Sequence, residues 1–160
     1  MTSQAYAVPP VASRSSWRPL AIAACSVAII LAMVCGVGIP DNLILRHIVQ
    51  TLPLWFAVVL GARRSNSTSW ISLPLFLFWL GIMALIWLYL LGLSRVVNGH
   101  FSPLEITMTI IVGLSSIVGI SMSYGLRSLS AIRALCLFVA FAALQFVCFR
   151  VSFLPSIAHR

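Results

Sequence analysis

The sequence contains no lysine and only two acidic residues, Asp41 and Glu105. Without lysine, the chain can form neither a lysine Schiff base nor the lysine–phosphate contact of a P-loop. The scarcity of acids limits any mechanism based on paired carboxylates. No C-x-x-C spacing occurs, so neither a zinc ribbon nor a thioredoxin-type redox pair is indicated. The cysteines lie singly inside apolar runs, at Cys25, Cys35, Cys136 and Cys148.

Charge of either sign is rare in this chain of 160 residues, since 8% are charged and 61% are hydrophobic. A soluble domain has about 25% charged and about 45–50% apolar residues. The composition therefore predicts an integral membrane protein whose main partner is the lipid bilayer. The net charge of +8 comes from arginines scattered singly between apolar runs. Nucleic-acid binders cluster such residues on one face, so we expect no nucleic-acid partner.

Apolar runs predict an all-α bundle of about five transmembrane helices, each near the roughly 20 residues that a bilayer requires. The expected spans are residues 19–39, 43–62, 71–93, 103–124 and 131–154. They form one domain, 19–154, between a flexible cytoplasmic tail, 1–18, and a short external tail, 155–160. The second span is the least regular, because Arg46 and His47 lie in its first turns and Pro53 in its middle. Whether residues 43–62 cross the bilayer completely stays open.

Arginine placement predicts the orientation, because cytoplasmic loops carry an excess of basic residues. An N-terminus inside the cell puts these arginines on the inner side: Arg14, Arg18, Arg63, Arg64, Arg127 and Arg133. The outer side then holds Arg46, Arg95, Arg150 and Arg160, together with both acids. We therefore expect the N-terminus inside and the C-terminus outside. The exclusive use of arginine favours a bacterial origin, and hence a multi-pass protein of the inner membrane.

Both acidic residues precede predicted helices and have the spacing of helix caps. Ser102-Pro103-Leu104-Glu105 has the spacing of a capping box, in which Ser102 and Glu105 bond each other's backbone N–H groups. A proton-carrying role for Glu105 is the alternative. Asp41 directly precedes the second helix and is expected to cap it. If both acids are caps, no carboxylate remains for a buried proton relay.

The remaining polar candidates are few. Gln50 and Thr51 lie beside Pro53, and Gln145 lies at a similar depth in the fifth helix. An interhelical hydrogen bond that holds the helices together is expected, with a substrate-contacting site as the alternative. His47 and His100 lie near the predicted outer face. They could bind a metal or a haem with the two acids, but no H-x-x-x-H spacing supports this, so we predict neither metal nor cofactor.

Two stripes of small residues predict close helix packing. The first helix carries Ala24, Ala28, Ala32 and Gly36, and the fourth carries Ser115, Gly119 and Ser123. Such stripes let helix backbones approach each other in a membrane. We expect the first and fourth helices to pack, within the bundle or against a partner. The third helix, which is rich in aromatic residues, is expected to face lipid.

These observations predict a small membrane protein with a structural or accessory role, associated with other membrane proteins or with itself. A small transporter or permease component is the alternative, with its polar site around Gln50, Thr51 and Gln145. A membrane enzyme ranks third, because it would need an outer-face site formed by His47, His100 and Glu105. No catalytic constellation is visible, and an enzyme is therefore not predicted.

Overall fold

Five long apolar helices form the described part of the fold, as the hydropathy of the sequence predicts. The structure, a computed structural model, describes residues 17–94, 101–124 and 129–158. The helices are α1 (Arg18–Leu31), α2 (Ile44–Ala62), α3 (Thr68–Leu90), α4 (Pro103–Ser123), α5 (Ala131–Val151) and the single turn α6 (Pro155–Ala158). A π-helical stretch, Ala32–Gly38, continues α1 and is called the π segment below. The described residues include no strand, which confirms the all-α class.

Each of the five long helices, counting α1 with the π segment, is long and apolar enough to cross a membrane. The third begins at Thr68 rather than near residue 71, and the fifth ends at Val151 rather than at residue 154. Most of the predicted N-terminal tail, residues 1–16, lies outside the described part of the chain. The loop of residues 95–100, which contains His100, also lies outside it.

The connection between α1 and α2 corrects the prediction for Asp41. In and after the π segment, hydrogen bonds span five residues: the Leu43 N–H donates to the Gly38 carbonyl at 2.8 Å. Asn42, with a φ of 56°, then turns the chain in the left-handed region. Because α2 starts only at Ile44, its N-cap is Leu43, and no side chain caps it. The expected Asp41 cap is therefore wrong, and Asp41 is an exposed turn residue.

The capping box at the start of α4 is confirmed. The Glu105 N–H donates to Ser102 Oγ at 3.2 Å, and the Ser102 N–H donates to Glu105 Oε2 at 2.6 Å. Pro103 occupies the first helical position, where its missing N–H costs no hydrogen bond. The backbone donors at this end of α4 are thereby satisfied.

The prediction that α3 faces lipid is wrong, because α3 lies at the centre of the bundle. It contacts each of the other four long helices. Phe76 and Trp79 are 0% and 1% exposed, and they pack in the main apolar core. Bulky rings fit there because neighbours are small, as where Gly119 of α4 meets Phe76. The most exposed helix is α5, in which only Ala134 and Gln145 are buried, all of its residues being described.

Candidate ligand-binding cavity

A cavity of about 610 Å³ lies at one end of the bundle, where the π segment and the start of α2 meet the start of α4. This volume is within the range of roughly 300–1,000 Å³ that is typical of small-molecule sites. Its polar lining consists of Asp41, Arg46, His47, Gln50, Thr109 and Glu105. Apolar side chains make up most of the rest, among them Met33, Ile82, Met83, Ile86, Met108 and Val112.

The cavity brings together polar residues that the sequence assigns to two different candidate sites. His47, Gln50 and Glu105 all line it. Thr51 and Gln145 are buried but do not line it, and His100 lies outside the described residues. The chain's two acids therefore both face one cavity, although they are 64 positions apart in sequence, at residues 41 and 105.

A chain of hydrogen bonds fixes the ring of His47. Ser152 Oγ donates to the Phe149 carbonyl at 2.6 Å, so it accepts from Gln50 Nε2 at 2.9 Å. With its amide nitrogen donating to Ser152, Gln50 faces His47 Nδ1 with its oxygen, at 3.1 Å. That oxygen can only accept, so Nδ1 carries the proton. Neutral His47 therefore has a bare Nε2, which is the nitrogen able to take up a proton or accept a hydrogen bond.

Gln145 and Thr51 bond to the backbone of Gln50 and His47, although neither lines the cavity. Gln145 Nε2 donates to the backbone carbonyl of Gln50 at 3.0 Å, which joins α5 to α2. The two glutamines meet as their similar depth in the sequence suggests, but through a main-chain acceptor near Pro53. Gln145 Oε1 is buried without a partner among the described residues. Thr51 Oγ1 donates to the His47 carbonyl at 2.9 Å, within its own helix.

Two residues of the cavity lining carry a buried N–H donor that has no acceptor among the described residues. Arg46 stacks its guanidinium over the Phe153 ring, 4.1 Å from the centroid, yet its Nε has no hydrogen-bond partner in the described structure. Trp79 Nε1 is likewise buried and unpaired there. Such a group keeps its full desolvation cost. The sequence places Arg46 on the outer side and in the first turns of the second span, but an ionisable residue within a span is also a signal of a functional site.

The small-residue stripes are used mainly inside the bundle. Along the first stripe, Ala24 is exposed and Ala28 half-buried, whereas Ala32 and Gly36 are buried. A Cβ on Gly36 would lie 2.5 Å from the Met108 sulfur of α4. In the second stripe, Ser115 is half-buried, Gly119 meets Phe76, and Ser123 Oγ lies 3.3 Å from Ser72 Oγ. The first stripe thus packs on α4, while the end of the second packs on α3.

Neither a metal centre nor a known relative explains the cavity. Among the described residues, no group of three His, Cys, Asp or Glu side chains lies close enough to hold a metal ion. No protein-family model, curated protein or solved structure matches this chain. The geometry and charges of the cavity are therefore the basis for inferring a function.

Proposed function

We propose that this chain is a multi-pass membrane protein that binds a small lipophilic molecule in the cavity, as a small transporter or permease component. The observation that carries this proposal is the gathering of both acids, Arg46 and His47 around one largely apolar cavity. Ionisable side chains within membrane helices are costly and commonly mark ligand or ion pathways. An apolar pocket with a few convergent polar groups is the usual form of a ligand site.

Filling the cavity tests this function. Ile86 lines the cavity from α3, whereas Leu88 is exposed on the same helix and does not line it. We expect native mass spectrometry of the purified chain to detect a co-purified small molecule. Ile86→Trp should lose that molecule, and the control Leu88→Trp should retain it. Absence of any bound molecule, or equal retention by both variants, would contradict the proposal.

The proposal includes a bacterial inner-membrane location, with the N-terminus in the cytoplasm and the cavity toward the outer face. The arginine distribution supports this orientation. Reporter fusions after Ser67 and Ser128 should read cytoplasmic, and fusions after Asn98 and His159 should read external. A cytoplasmic C-terminus would mean that one span does not cross the bilayer, and residues 43–62 are the first to test because they are the least regular span.

A structural or accessory role is the second candidate, and a surface groove favours it. The groove, of about 400 Å³, is lined by Ala28, Leu31, Ala32, Cys35, Gly36, Leu104, Met108 and Ile111. Small residues at its base would let a helix of another membrane protein, or of a second copy, approach closely. Ala28→Leu should then reduce the yield of cross-linked complex, whereas Ala140→Leu on the exposed surface of α5 should not. Equal yields would rule out this groove as the interface.

A further inference from the structure

We infer that the ligand of the cavity is an uncharged planar ring that carries carbonyl oxygens on an apolar tail, which is the chemistry of membrane quinones. This inference rests on the proposed function, because it assigns a ligand class to the same cavity. Three properties of the lining support it: unpaired donors, mixed charge and aromatic walls.

The unpaired donors call for a ligand with hydrogen-bond acceptors. Trp79 lines the cavity at 1% exposure, and its Nε1–H has no acceptor among the described residues. Arg46 also lines the cavity, and its buried Nε–H likewise has no acceptor among the described residues. Both groups can only donate. Carbonyl oxygens would satisfy them, whereas a purely hydrocarbon ligand would leave both desolvated and unpaired.

The charges of the lining favour a neutral ligand. An anion would face the carboxylates of Asp41 and Glu105, and a cation would face the guanidinium of Arg46. In a medium of low polarity, either repulsion is stronger than in water. A neutral molecule with polar oxygens avoids both and still bonds the donors.

The walls favour a flat ring over a branched ester lipid. Trp79, Phe101, Phe149 and Phe153 all line the cavity. The Phe149 and Phe153 rings are already in edge contact, with centroids 5.1 Å apart. Aromatic faces and edges pack well against another planar ring. Methionine and isoleucine side chains cover much of the remaining surface and suit an apolar tail.

Radiolabelled decylubiquinone is the probe, with the full-length protein in nanodiscs of uncharged lipid and empty nanodiscs as background. We expect saturable binding that unlabelled decylubiquinone displaces. Dodecanoate and dodecyltrimethylammonium, which carry opposite charges on similar tails, should displace it poorly. Ile86→Trp should abolish the binding.

Two variants test the donors directly. Trp79→Phe removes one N–H and should weaken binding about threefold to tenfold, the usual range for one hydrogen bond. Trp55→Phe is the matched control, because Trp55 is 50% exposed and outside the cavity lining. Arg46→Lys keeps the charge but removes the Nε–H, so it should weaken binding to a similar extent. It tests the donors independently if Trp79→Phe does not fold.

The outcomes separate the ligand class from the proposed function. Stronger displacement by either charged amphiphile, or unchanged affinity in both donor variants, would overturn the quinone assignment. The cavity would remain a ligand site if Ile86→Trp still abolished binding of the preferred amphiphile. If none of the three probes binds but a co-purified molecule is present, only the ligand class is wrong. If neither is found, both proposals fail.

Discussion

The two ends of the helix bundle are packed in opposite ways. At the closed end, around Pro19, Gly61, Ser72 and Ser123, a Cβ on Gly61 would lie 2.6 Å from the Pro19 carbonyl oxygen. The cavity beside Ser123 there measures only about 30 Å³. At the cavity end, around Arg46, His47 and Glu105, the volume is about 610 Å³. Almost no space remains between the helices at the closed end, whereas long polar side chains line an opening at the cavity end.

Both ends contain paired and unpaired polar groups. At the closed end, Ser123 Oγ donates to the Gly119 carbonyl of its own helix at 2.8 Å. Arg18 there donates to the Tyr124 carbonyl at 2.9 Å, joining the start of α1 to the end of α4. At the cavity end, Arg46 and Trp79 keep unpaired donors among the described residues. Unpaired groups are not confined to the cavity end, however, because Ser69 Oγ and Trp70 Nε1 at the closed end also have no partner among the described residues.

The largest effect is expected where the closed half of the bundle is tightest. Gly119 is buried against the ring of Phe76, which is 0% exposed and cannot move aside easily. Gly119→Val should therefore lower the free energy of unfolding by about 1–3 kcal/mol through overpacking. Thermal unfolding in detergent measures this. Gly81→Ala is the control, since no described atom beyond its own stretch of helix lies within 4 Å of the added Cβ. Equal losses would show that close packing is not what holds this half together.

An effect no larger than this is expected at the glutamines, and it should differ between them. Gln50→Leu removes the partner of His47 Nδ1–H and of Ser152, which should cost about 1–3 kcal/mol for a stranded buried group. Gln145→Leu loses one hydrogen bond but also removes the unpaired Oε1, so its cost should be lower. Chemical unfolding of both variants decides this. A larger loss for Gln145→Leu would mean that Gln50 is not the centre of the network.

The smallest effect is expected at the start of α4. Ser102→Ala should cost about 0.5–2 kcal/mol through loss of the N-cap, whereas Glu105→Gln should be milder because glutamine also serves in a capping box. Unfolding curves measure both. If Glu105→Gln is stable but no longer binds the ligand, the charge of Glu105 serves the cavity and not only the cap.

The sequence predicts some of these features well, for identifiable reasons. Helix number follows from apolar runs, and the Ser102–Glu105 cap follows from spacing, because both depend on local chemistry. The prediction that Asp41 caps α2 is wrong because the π segment and the turn at Asn42 shift the start of α2 to Ile44. Hydropathy does not reveal such a change of hydrogen-bond pattern.

The prediction for the position of α3 is wrong for another reason. Its residues are apolar on every side, so periodicity cannot distinguish a face that meets lipid from one that meets other helices. The pairing of Trp79 with Arg46 in one cavity depends on the tertiary arrangement of α2 and α3, to which no local pattern points. The sequence groups His47 with Glu105 on the outer face, but it does not indicate that Gln50 joins them in one cavity.

The π segment also determines which residues face the inside of the bundle at the end of the first helix. Four residues advance about 400° in an α-helix, so a four-residue stripe drifts around it. A π turn holds more residues, and the drift therefore reverses beyond Ala32, which keeps Gly36 on the buried side with Ala32. Gly38 follows on the same wide turns, and a Cβ there would lie 3.1 Å from Cδ2 of His47. Deleting one residue from the π segment would rotate the chain beyond the deletion by about 100° about the helix axis. The number of residues in the π segment therefore sets which side of it contacts His47.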